Sequence, residues 1–312
     1  MKPTITKYYL ALILLFSTLT IQAQKCDSIN NAEGRVNAYF CPQKAINAWC
    51  VASKTIKTAV LNPIYENPEY STEVNGTGYV DPIDFGVCPN YAPSGEERNP
   101  ALFLAGDFEI EFMLLYTKSP IGMTGAEIET EKQSKLEELY KTNPLVMKVR
   151  NVSNTITEDE YNKATGILGN AGLRAQQKNV SNSFQLTIFF NSTQKEVFHF
   201  APNYTIKKAT PFSLPNVKPL LAMDVTHYLD FYDSKNPDDD KKYLDESLLQ
   251  LYDSYVRLGS YLSDDASEKM RLDGEYTIRN LTVKVTGGSF EANHKVLEQI
   301  DWSKLNAIVK NK

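Results

Sequence analysis

Asp224, His227 and Asp230 follow one another at steps of three in LLAMDVTHYLDFYD, and Asp233 extends the row. On a helix, three residues so spaced span about 120° of one face. Carboxylates beside an imidazole can hold a metal ion or tune the histidine for proton transfer. These three are the candidate catalytic residues. The stripe Leu221, Val225, Tyr228, Leu229 and Tyr232 predicts that the segment is an amphipathic helix. The competing reading of the triplet is the solvated side of that helix. His199, between aromatics in VFHF, is expected in a strand, and His294 at a solvated helix start.

Familiar nucleophile and phosphate motifs are missing. There is no Gly-x-Ser-x-Gly, and GGSFE at 287–291 falls short of it. Neither His-Glu-x-x-His nor Gly-x-x-x-x-Gly-Lys-Ser/Thr occurs. The run NPDDDKKYLDES resembles a calcium loop only in its acids. A calcium loop of the EF-hand kind needs glycine at its sixth position and glutamate at its twelfth, and here Lys241 and Ser247 stand there. The run instead predicts a helix start, with Asn236 as cap, Pro237 in the first turn and the acids facing the positive helix end. Apolar residues at 244, 248, 251, 255, 258 and 262, widened by Leu249, Tyr252 and Val256, predict that this helix is well buried. No metal site and no cofactor are expected. A paired-carboxylate glycosidase would need two acids, and no motif selects a pair.

A second candidate site is a surface. Asn62 to Pro100 holds six of the fifteen prolines, and with them Tyr65, Tyr70, Tyr79 and Tyr91. Tyrosine offers wide amphipathic contact at low entropic cost, so these four are a candidate binding surface. Alternatively, they cover the core where regular elements are missing.

The elements that must position these residues read as follows. DFEIEFMLLYT alternates with period two and predicts a strand. Thr124 to Lys141 predicts a helix with a Thr124/Glu127 capping box, and Asn143-Pro144 ends it. LVMKVRNV reads as a strand. ITEDEYNKATGILGNAGLRAQ begins as a helix that is expected to end among Gly166, Gly169 and Gly172. SFQLTIFF and KEVFHFAPNYTIKKA read as the arms of a hairpin. PFSLPNVKP is expected to separate a pair of subdomains near residue 215. EYTIRNLTVKV reads as a strand pair and HKVLEQI as a C-terminal helix, with a further turn after Asp301-Trp302-Ser303. The expected fold class is α+β, with antiparallel sheet, packed helices and a disulfide-tied, irregular N-terminal region. The expected units are a signal peptide at 1–23, a disulfide-tied region at 24–100, a strand-rich α+β region at 101–214 and a helical region with a strand pair at 215–312.

The signal peptide rests on Lys2 and Lys7, the apolar run Tyr8 to Leu19, and Ile21 and Ala23 as −3 and −1 residues. The run is too short for a membrane span of about 20 residues. Gln24 and Lys25 before Cys26 do not make a lipobox. Removing the leader takes the net charge from −5 to −7. A mildly acidic chain without a basic block is a poor ligand for nucleic acid. Cys26, Cys41, Cys50 and Cys88 are four cysteines in an exported chain, which reads as two disulfides. CPQKAINAWC predicts a helix, along which nine residues span about 13.5 Å. A disulfide needs Cα atoms within about 7 Å, so Cys41 is not expected to pair with Cys50. The pairings 26–41 with 50–88 and 26–50 with 41–88 stay open.

The expected function is that of an exported, non-catalytic binding protein of the periplasm or extracellular space, with a protein or glycan partner. After leader cleavage it is not expected to span a membrane. The alternatives are a secreted hydrolase or metal-dependent enzyme using Asp224, His227 and Asp230, or a structural subunit of an envelope assembly.

Overall fold

The computed structural model describes residues 51–52, 54–71, 108–151, 155–193, 204–229, 243–245, 248, 250–272 and 277–310. Its frame is one antiparallel sheet. The strands are β1 (Tyr70–Ser71), β2 (Phe108–Tyr116), β3 (Ser183–Phe190), β4 (Tyr204–Pro211), β5 (Leu221–Leu229), β6 (Gln250–Gly259) and β7 (Asn280–Gly287). Their order across the sheet is β1-β2-β3-β7-β6-β5-β4. With helices packed on this sheet, the class is α+β.

The helices are α1 (Asn62–Tyr65, running on from a π-helical stretch Lys57–Leu61), α2 (Gly125–Thr142), α3 (Pro144–Arg150), α4 (Glu158–Val180), α5 (Asp264–Leu272), α6 (Phe290–Gln299) and α7 (Trp302–Ile308). The α2 start follows the expected chemistry: Thr124 accepts from the Glu127 amide while the Glu127 carboxylate accepts from the Thr124 amide. Thr157 and Glu160 repeat this device at α4.

The main core lies on one face of the sheet. Phe112, Leu114, Phe184, Leu186, Ile188, Leu281, Val283, Val285, Val256 and Leu258 alternate inward from four strands, β2, β3, β7 and β6. Val296, Leu297, Trp302 and Leu305 of α6 and α7 close over them, with Ile56, Val60, Leu61 and Ile64 from the 51–65 stretch. Trp302 fixes the α6–α7 corner by donating its indole N–H to the Leu297 carbonyl at 2.9 Å.

Several expectations fail here, each for a physical reason. LVMKVR is helical where a strand was expected, because Asn143 caps the Leu145 and Val146 amides and Pro144 suits a first turn. α4 does not end at its glycines but runs through all three. Tyr243 lies so close to Gly166 that a Cβ there would overlap it, and Leu244 sits against Gly169. Asn170 completes the dock, donating to the Tyr243 carbonyl at 2.9 Å and accepting from the Asp245 amide at 2.8 Å. Gly166 and Gly169 are a groove for residues 243–245, not a stop.

The two C-terminal helices expected at 220–233 and 244–262 give way to strands, β5 at Leu221–Leu229 and β6 at Gln250–Gly259. β6 lies inside the sheet, and Asp253 to Leu258 are buried on both of its faces. Burial on both faces erases period two, so an apolar run can mimic helical spacing. β3 and β4 are not a hairpin: β3 pairs with β2 and β7, and β4 lies at the far edge beside β5. The link near residue 215 joins two paired strands of one sheet. In place of a strand pair near the C-terminus, β7 is a single strand, preceded by an isolated Ile278–Val309 bridge. Asn236–Asp240, His199 and all four cysteines lie outside the described residues.

Candidate functional site

In a strand, residues three apart point to opposite faces. β5 therefore separates Asp224 from His227, and the expected catalytic triplet is not assembled. Asp230 lies outside the described residues. Each of the other two meets different partners.

Asp224 is on the core face, paired in register with Ser254 of β6. Its Oδ1 accepts from the Ser254 hydroxyl at 2.6 Å and stands 2.9 Å from Nε2 of His294 on α6. An ionised carboxylate only accepts, so Nε2 is the donating ring nitrogen of this pair. Asn293, the residue before, donates to the Tyr252 carbonyl at 2.9 Å and to Ser254 Oγ at 3.3 Å. Phe212, just past β4, stacks on the imidazole with centroids 4.4 Å apart. Ser289 caps α6 through the Ala292 amide and sets the helix phase that turns Asn293 and His294 to the sheet.

The chemical capacity of this group is limited by its order. A nucleophilic serine must hydrogen-bond directly to the base. Here the carboxylate stands between Ser254 and His294, and Ser254 is fully buried. His294, with its side chain 31 % exposed, is the one member open to solvent enough to exchange a proton with a ligand.

His227 is on the other face and 1 % exposed. Its Nε2 lies 3.7 Å from Asp253 Oδ2. Burial pushes the imidazole below its ordinary pKa; the Asp253 carboxylate opposes this and the Lys284 ammonium reinforces it. Asp253 also accepts from the Tyr255 phenol at 2.9 Å and from the Thr286 hydroxyl at 2.6 Å. Among the described residues, no three His, Cys, Asp or Glu side chains gather to hold a metal ion.

The tyrosine surface divides. Tyr70 is 4 % exposed and packs on Tyr116 and Phe184 at 5.5 and 5.2 Å. Burial, with a smaller push from the Glu69 carboxylate, raises its phenol to about 12. Tyr65 is half-buried against the core, and burial raises its phenol as well. Both cover the core. Tyr79 and Tyr91 lie outside the described residues.

Sequence reasoning missed Ser254, Asn293 and Phe212, and it missed that His294, part-exposed as expected, is bound to Asp224. The usable signal was alternation in β5: Ala222, Asp224 and Thr226 share the core-facing side, and a carboxylate there demands partners.

A further concave surface lies beside this group. The β4–β5 connection, with Pro211 and Leu221 to Met223, encloses about 390 Å³. No known protein-family model matches the chain, and no curated protein or solved structure matches it. Among the described residues, no helix is long and apolar enough to cross a membrane.

Proposed function

We propose that this chain is an exported, non-catalytic binding protein that recognises a protein or glycan through its β4–β5 connection. The observation that carries the reading is how that connection is held. Phe212 is stacked on His294 at one end, and Leu214 is buried in the core. Between these anchors and β5, Val217, Lys218 and Leu220 line the concavity, and Leu220 is 41 % exposed. Pro215 and Pro219 fix backbone dihedrals within it. A surface already fixed before contact loses less entropy on binding. The leader pattern and the even cysteine count support export.

The test is gentle purification of the tagged protein from its own cells, with mass spectrometry of what accompanies it, for the wild type and for Leu220→Asp. The reading expects one partner near equal stoichiometry whose recovery falls with the variant. A partner recovered equally by both would reject the connection as the site.

A second reading, proton-transfer catalysis, draws on the 2.9 Å His294–Asp224 pair. A buried carboxylate that orients a partly exposed imidazole is a general-base arrangement. It requires a turnover that His294→Gln abolishes while leaving the fold intact.

A further inference from the structure

On the sheet face opposite the main core, two hydroxyls and one ammonium make no hydrogen bond among the described residues. The Thr187 and Thr282 hydroxyls are buried, at 2 % and 0 % residue exposure, and make no hydrogen bond among the described residues. Among the described residues the Lys284 ammonium makes no hydrogen bond either. Its nearest carboxylate oxygen, Asp253 Oδ2, is 3.9 Å away and already accepts from Tyr255. The Lys284 side chain is only 14 % exposed, so bulk water does not serve it fully.

These groups are neighbours by register. Thr187 of β3 pairs with Lys284 of β7, and directly opposed residues have Cβ atoms about 4.5–5.5 Å apart. Thr282 is two residues from Lys284 on the same strand and the same face. Tyr255 stands opposite Lys284 on β6, and Arg257 opposite Thr282. The Arg257 guanidinium is engaged with the Ser192 carbonyl at 2.7 Å. Val225 and Tyr255 form a small buried core cluster alongside, and the half-buried Leu221 and Met223 pack on it as an apolar patch toward β5.

Buried polar groups in folded proteins are nearly always paired, so two neighbouring unpaired hydroxyls call for a physical reason. One ammonium and two hydroxyls on adjoining positions match the acceptor-rich geometry of an oxyanion. We propose that Lys284, Thr187 and Thr282 form a receptor for the carboxylate or phosphate group of a small molecule. Lys284 supplies the charge and the two hydroxyls donate to its oxygens. The site is on the opposite face from Asp224, and Leu221 and Met223 lie between it and the β4–β5 concavity.

Calorimetric titration of the full chain with inorganic phosphate and, separately, with octanoate tests this. Saturable binding of phosphate assigns a bare oxyanion site; binding of octanoate alone assigns a carboxylate whose tail uses the apolar patch. In either case Lys284→Met should weaken binding by about tenfold or more. Thr187→Val and Thr282→Val keep the side-chain shape and carry the test if Lys284→Met does not fold. Each should raise the melting temperature of the ligand-free protein, since it removes an unpaired hydroxyl, and each should weaken the anion. Absence of binding by both probes, or binding indifferent to all three substitutions, would overturn the proposal. So would lower melting temperatures for both valine variants without ligand, because water then satisfies the hydroxyls.

Discussion

Asp224 and His227 lie on opposite faces of β5, and each is held by a different ionisable partner: His294 at 2.9 Å on one side, Asp253 at 3.7 Å on the other. The sheet insulates the two pairs from each other. One pair is partly open to solvent and the other is sealed, so they should respond differently to substitution and to pH.

The open pair is testable by a double-mutant cycle. Asp224→Ala leaves the buried Ser254 hydroxyl without its acceptor and should cost about 2 kcal/mol in urea unfolding. His294→Gln should cost less. Residues in contact couple by about 0.5 kcal/mol or more, and the cycle should show that coupling. Additive losses would mean that the pair is not formed in solution.

The sealed pair predicts an acid sensitivity. Burial lowers the His227 pKa in the folded state, so the unfolded chain binds the proton more readily. Stability from keeping His227 neutral is fully present above the ordinary histidine pKa of about 6.5. It is lost as pH falls from there toward the folded value, with a slope of up to about 1.4 kcal/mol per pH unit. Melting curves between pH 7.5 and pH 5 should fall for the wild type, and His227→Gln should flatten the fall. Parallel curves for the two proteins would contradict the assignment.

Tyr70 predicts the opposite edge of the stability range. Its phenol is raised to about 12 from an ordinary 10.0. The contribution is fully present below pH 10 and is lost as pH rises from there through the folded value. Alkaline melting curves should drop above about pH 10 for the wild type and less for Tyr70→Phe. Absorbance near 295 nm should show Tyr70 ionising only with unfolding.

The α4 glycines give a matched pair of substitutions. Helical Gly→Ala ordinarily gains about 0.5–1 kcal/mol. Nothing lies near a Cβ at Gly172, so Gly172→Ala should show that gain. At Gly166 a Cβ would overlap Tyr243, so Gly166→Ala should destabilise instead and expose residues 243–245 to hydrogen exchange. Equal gains at both positions would mean that 243–245 does not dock on α4.

Local signals in the sequence were legible where one element decides the outcome. The Thr124/Glu127 box starts α2 as read, and the alternation around Phe112 and Leu114 marks β2. The helix read at HKVLEQI and the turn after Asp301-Trp302-Ser303 are α6 and α7. What was not legible depends on distant partners. β6 is covered on both sides, and its steps of three and four between apolar residues then imitate a helix. Gly166 and Gly169 looked like punctuation because their reason, Tyr243 and Leu244, lies more than seventy residues away. His294 meets Asp224 only through the packing of α6 on the sheet, which no local pattern announces.

Recognition through the β4–β5 connection is tested most directly by one comparison. The affinity of the co-purified partner should be measured for the wild type, Leu220→Asp and His294→Gln by surface plasmon resonance or calorimetry. Recognition at this surface predicts that Leu220→Asp loses binding by about tenfold or more while the anion site and melting temperature are unchanged. It predicts a smaller loss for His294→Gln, through the Phe212 stack alone. Undiminished binding by Leu220→Asp, with a substrate turnover that His294→Gln abolishes, would contradict it and leave the proton-transfer reading in its place.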